Sequence, residues 1–189
     1  MPQFKIGLMA AIAILSVGAA GGAAARMAGE HTVMVGGAAM YPSKNIIQNA
    51  VNSKDHTTLV AAVKAAGLVE TLSGPGPFTV FAPTNEAFDR LPAGTVATLV
   101  RPENKAMLTK ILTYHVVAGR MSAGDIEQAI KAGGGRASLT TVEGEPLTAS
   151  MAHGRLVLTD AKGGMASVAI ANVMQSNGVI HVVDAVLMP

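Results

Sequence analysis

Five short β-rich runs crowd the last third of this chain: RASLTTV, EPLTASM, RLVLTD, MASVAIANV and GVIHVVDAVL. Between them lie EGE, HG, KGG and SNG, the glycine-bearing connections that join antiparallel neighbours. Strands this short at this spacing indicate an antiparallel meander. In GVIHVVDAVL, alternation puts Ile180, Val182, Asp184 and Val186 on one face and His181, Val183, Ala185 and Leu187 on the other. Both faces are apolar, so the strand is expected to be buried on both sides.

Upstream, the period changes to that of a helix. NIIQNAVNS suits a short one. DHTTLVAAVKAAGL suits a longer one, with Leu59, Val60 and Val63 on one face, Asp55 or Thr57 as cap and Gly67 as stop. After the GPGP turn, FTVFA reads as a strand that Pro83 ends. Thr84 is then placed to cap a helix, with Glu86 in its first turn. Pro102 starts another helix whose apolar stripe is Met107, Leu108, Ile111 and Leu112, and TYHVV reads as the strand after it. Ser122 and Asp125 have the spacing of a capping box. Helices lead and strands follow, so the expected class is α+β around one core.

The N-terminus has a separate logic. MPQFK, the apolar run IGLMAAIAILSV and the small residues GAAGGAAA follow the layout of a secretory signal peptide over residues 1–25, with cleavage expected near Ala25. Residues 26–41 read as a flexible linker and 42–189 as a single domain. The expected location is therefore secreted or periplasmic, without a stable membrane anchor after cleavage. The chain has no cysteine, so no disulfide staples an exported domain and its core must suffice.

Composition narrows the partners. A formal charge of +2, no basic run and no tryptophan argue against nucleic acid. Histidines 31, 56, 115, 153 and 181 show no metal-ligand spacing, so neither a metal nor another cofactor is expected. No GxSxG occurs, and Ser122 is better explained as a helix cap than as a nucleophile, so no catalytic residue is assigned. His181 and Asp184 point to opposite faces of their strand and cannot act as a local pair. They read instead as polar fasteners, with Thr84 and Asn85, at the strand-to-helix junction, as candidate partners.

Three segments, FTVFAPTNEAF (78–88), TYHVV (113–117) and NGVIHVVDAVLMP (177–189), resemble in order the signature blocks of the fasciclin domain family. HTTLVAAVKAAGLVETL resembles that family's leading helices, and the resemblance runs from about Asn45 to Pro189. It implies a two-sheet twisted β wedge flanked by several short helices. It also implies a non-catalytic role in cell adhesion or matrix contact, with an envelope glycan, a matrix component or a cell-surface protein as partner. By the same resemblance, Tyr114 and His115 are the candidate partner-binding residues. The residues themselves leave alternatives open: a small-molecule or lipid binder using an apolar cleft, a purely structural envelope protein, or a hydrolase built on His115 or His181 with Asp184.

Overall fold

The computed structural model describes residues 32–189. The leader and cleavage site expected within residues 1–25 lie outside the described residues. Order begins earlier than the linker reading allowed. Strands β1 (Val33–Val35) and β2 (Ala38–Met40) pair as an antiparallel hairpin. Its turn is Gly36-Gly37, with φ of 57° and 76°, a left-handed pair that glycine adopts without a Cβ penalty. Val35 and Met40 are buried, and that burial holds the segment against the domain.

Short helices follow: α1 (Ile46–Ala50), α2 (Thr57–Ala66) and α3 (Val69–Ser73). Beyond strand β3 (Phe78–Pro83) come α4 (Asn85–Asp89), α5 (Thr95–Leu99) and α6 (Lys105–Tyr114). Strand β4 (Val116–Ala118) and helix α7 (Ala123–Ala132) lead into the meander. There the strands are β5 (Arg136–Thr140), β6 (Pro146–Ala152), β7 (Arg155–Thr159), β8 (Met165–Gln175) and β9 (Gly178–Val183).

Seven strands are ordered β4-β3-β9-β8-β7-β6-β5, with β3 and β9 parallel and the other neighbours antiparallel. Strand β8 joins two sheets. Met165–Ser167 pair with β7, whereas Val168–Gln175 pair with β9 across register shifts. Bulges of this kind bend a strand and increase its twist. The two outer strands then approach each other. A single bridge joins Val117 to Thr141, and the Val142 amide donates to the Val116 carbonyl at 2.7 Å. Both sheet edges are thereby partly closed, which limits the exposed pairing surface.

The central strands divide the interior in two, where a single core was expected. Val80 and Ala82 of β3, with Ile180 and Val182 of β9, face the helices and the hairpin. Phe81 and Val183 face the meander and α7, where Tyr114, Ile126, Leu147 and Leu158 complete a second cluster. All six residues of β9 are buried, as its two apolar faces require.

Two local readings change. TYHVV is not a strand throughout: Tyr114 ends α6, His115 is its C-terminal cap, and β4 starts at Val116. The helical period carries on through Leu108, Ile111, Leu112 and His115, outweighing the β propensity of the next residues. Met107, assigned to the α6 stripe, is exposed because it lies roughly 90° from the stripe's centre at 100° per residue.

Candidate functional site

The polar residues singled out by the sequence occupy the junctions where α6, β9 and the chain's last residues meet the rest of the domain. Tyr114 and His115 are brought there by the end of α6. Both are buried, at 0% and 2% exposure, so in this structure neither side chain is presented to a partner at the surface. The Tyr114 hydroxyl donates to the Pro146 carbonyl at 3.1 Å and accepts from the Ala161 amide at 3.1 Å. One phenol thus ties α6 to the start of β6 and to the β7–β8 turn. Burial pushes its pKa up.

His115 Nδ1 donates to the Ile111 carbonyl at 2.9 Å, one helical turn back. Its Nε2 accepts from the Leu187 amide at 3.0 Å. That pattern specifies a neutral ring protonated on Nδ1. Burial lowers its pKa to about 4. The tail receives a second tether from Asp160, whose carboxylate accepts from Lys162, Gly164 and Met188 amides at 2.7–2.9 Å.

His181 lies on β9 with its ring stacked on Phe81, centroids 5.6 Å apart. Nε2 donates to the Met121 carbonyl at 2.9 Å, and Nδ1 faces the Asn172 amide at 3.4 Å. Asn172 has a φ of 59° in the bulged part of β8 and also offers its side-chain oxygen to the Ala123 amide at 2.7 Å. The bulge therefore serves β9 and the start of α7 together.

Asp184 lies just past β9 and is not the buried group that the alternation suggested: its side chain is 44% exposed. Its Oδ1 accepts from the Ser167 amide at 2.7 Å, and its own backbone pairs with Ser167 and Arg90. Among the described residues, neither His115 nor His181 hydrogen-bonds Asp184, so the geometry assembles no His–Asp pair.

Thr84 and Asn85 are not the partners of His181 or Asp184. The Thr84 hydroxyl caps α4 by accepting from the Ala87 amide at 3.3 Å. Asn85 reaches across to α2, which has no side-chain cap of its own. Its Oδ1 accepts from the Thr58 amide at 3.0 Å and from the Thr57 hydroxyl at 3.2 Å, while Nδ2 donates to the Lys54 carbonyl at 2.8 Å. The first residue of α4 thus supplies the missing cap of an earlier helix.

Other groups of this kind went unnoticed in the sequence. Asn49 and Gln175, both buried, hydrogen-bond each other and join α1 to the end of β8. Asn177 accepts from the Ile46 amide at 3.0 Å and donates to the Leu72 and Gly74 carbonyls. The only signal for Asn49 was its place three residues after Ile46, on the helix face that turns inward. No group of three or more potential metal ligands occurs among the described residues, and no described helix is long and apolar enough to cross a membrane.

Comparison with known proteins agrees with this architecture. Residues 54–189 match the Fasciclin domain family. Protein sll1483 of Synechocystis sp. is 46% identical over 160 residues, covering 85% of this chain and 82% of the relative. Immunogenic protein MPB70 of Mycobacterium bovis is 37% identical over 145 residues, covering 74% of this chain and 66% of that protein. A solved FAS1 domain pair from the insect cell adhesion molecule Fasciclin I superposes with a TM-score of 0.70 at 17% identity, over 79% of this chain and 52% of that one. By sequence and by fold, the chain belongs to the fasciclin domain family.

Proposed function

We propose that this protein is an exported, non-catalytic binding module that contacts a glycan, a matrix component or a cell-surface protein outside the cytoplasm. The observation that carries this reading is family membership over residues 54–189. A further relative, 32% identical over 170 residues, is the cell surface glycolipoprotein MPB83 of Mycobacterium bovis, and the superposed insect protein is a cell adhesion molecule. The sequence of the leader supports export with cleavage near Ala25.

The contact surface on this reading is not the Tyr114–His115 pair itself but the turns that the pair braces. The Tyr114 hydroxyl holds the backbone at Pro146 and Ala161. Beside these points stand two exposed turns, 142–145 and 161–164. Val142 is 47% exposed, and Lys110 pairs with Glu143 at 3.5 Å and Glu145 at 3.1 Å next to it. Loops fixed by a rigid sheet are the usual location of binding residues.

The test is a pull-down with the full exported chain against envelope glycans and matrix components. A saturable partner, lost on Val142→Ser with Lys162→Glu and kept in Tyr114→Phe, supports the reading. Loss of binding in Tyr114→Phe at unchanged stability would move the contact to the Tyr–His pair. The absence of any saturable partner would leave a purely structural envelope role. N-terminal mass spectrometry of the natural protein tests export: a chain starting near Arg26 is expected, and an intact Met1 in the membrane fraction would refute cleavage.

A further inference from the structure

The meander turns one face to the core and one face outward. Arg136 of β5 is paired with Ser150 of β6, Ser150 with Val157 of β7, and Val157 with Ser167 of β8. One row along, Ser138, Thr148, Thr159 and Met165 are paired in the same way. Cross-strand partners share a face, as do residues two apart, so Arg155 stands on this face too. The alternate residues, among them Ala137, Leu139, Leu147, Ala149, Leu156 and Leu158, fill the second cluster. On the outward face Arg136, Ser138, Arg155 and Met165 are exposed.

Its charge is of one sign. Strands β5, β6 and β7 and the Met165–Ser167 part of β8 carry no acidic residue. Arg136 and Arg155 form no ion pair among the described residues. Two strands across and two residues along, their Cα atoms lie about 12 Å apart. At the opposite end of the face, exposed Lys162 stands in the turn after β7. The bordering carboxylates are engaged: Glu143 and Glu145 by Lys110, Asp184 by the Ser167 amide, Asp160 by three backbone amides.

We infer that this face binds an acidic polysaccharide, laid over the Ser/Thr rows between Lys162 and the two arginines. The inference rests on the contact role proposed above and adds to it the class of partner and the floor beside the 161–164 turn. Guanidinium groups take carboxylates and sulfates in pairs of charge-assisted hydrogen bonds. Serine and threonine hydroxyls both donate and accept, which suits the hydroxyls of a sugar chain. A neutral sugar would find no aromatic ring to stack on, so charge must supply the attraction. A protein partner is a poorer fit, because interface centres rely on aromatic and apolar anchors. Here the central apolar residue, Val157, is already buried, and Met165 stands at the edge. An anionic membrane is poorer still, since surface attraction to lipid takes a cluster of about four to eight cations.

Titration of the full exported chain with alginate, dextran sulfate and neutral dextran, followed by backbone amide NMR, tests the site. Saturable shifts at Ser138, Thr148, Ser150 and Thr159 are expected with a charged polymer and none with dextran. The stronger of the two charged polymers identifies carboxylate or sulfate as the group read. Affinity should fall as salt rises. Arg136→Gln together with Arg155→Gln should weaken binding about tenfold at an unchanged urea midpoint, since both side chains are exposed. If that midpoint moves, the shift map and salt dependence of the unaltered protein decide. Poly-glutamate and anionic lipid vesicles are the rival sources of negative charge, and equal binding to either would overturn the assignment to a polysaccharide. No saturable shift with either charged polymer, or shifts confined to other surfaces, would overturn the site. If the pull-down still yields a saturable partner that the arginine substitutions leave untouched, the contact role stands and this face is not its location. If it yields none, both fail together.

Discussion

Tyr114 shows how one side chain can be misjudged from its neighbours alone. The family resemblance marks it as a candidate partner-binding residue, but its ring is buried and its hydroxyl is committed to Pro146 and Ala161. Both partners belong to exposed residues, so water can replace part of what is lost. Tyr114→Phe should therefore cost about 0.5–1.5 kcal/mol, whereas Tyr114→Ala should cost about 3–5 kcal/mol by emptying the second cluster. Urea midpoints of the two variants check this, and equal losses would mean that the ring contributes little. Asp184 behaves differently because only one oxygen is bonded to an amide. Asp184→Asn keeps that acceptor and should be nearly neutral, while Asp184→Ala should cost about 1 kcal/mol. A similar loss in both variants would shift the weight to charge and to Arg90, 4.0 Å away.

Among the elements, the capping of α2 from Asn85 is the contact that no local pattern announces. A capping search looks within a few residues, and this helix is capped from 27 residues away. Asn85→Ala should cost about 0.5–2 kcal/mol and speed amide exchange at Thr58 before it affects β9. Exchange that rises equally in both places would make the contact part of the global fold. A second test concerns β3 and β9, where a Cβ on Gly178 would lie 2.2 Å from the Phe78 carbonyl oxygen. Gly178→Ala should cost at least about 1–3 kcal/mol, since the parallel pair must part to admit it. The elements that could be read from sequence were those whose cause is local. The Ser122–Asp125 box, the Gly67 stop and the two apolar faces of β9 all depend on near neighbours. What could not be read depends on distant ones: Asn49 with Gln175, Asn85 with α2, and His115 with Leu187. The hairpin at 33–40 falls between these cases. Gly36-Gly37 marked its turn, but three-residue strands carry too little alternation to be recognised.

At the scale of the whole molecule, the notable feature is that three histidines are held as neutral rings at three different junctions. His56 stands beneath the hairpin, His115 between α6 and the tail, and His181 between β9 and the Met121 carbonyl. Burial is the leading cause of the lowered pKa in each. The unfolded chain takes up a proton on each ring near pH 6.5, whereas folded His115 resists until about 4. Stability is therefore complete above about pH 6.5 and declines as the pH falls toward 4, because the unfolded state then binds more protons. His115 alone accounts for about 3 kcal/mol across that window, and His56 and His181 add in the same direction. Asp125 does not confuse the reading. Its hydrogen bonds from Ser122 lower its pKa below 3.8, so its contribution is lost only at more acid pH. His115→Gln supplies a side-chain oxygen to the Leu187 amide without a titrating ring. Urea melts of both proteins from pH 7.5 to 4 should show a clear fall in the unaltered chain and a shallower one in the variant. Parallel curves would mean that the ring at the end of α6 takes up its proton without loosening the tail, and that acid acts on this fold elsewhere.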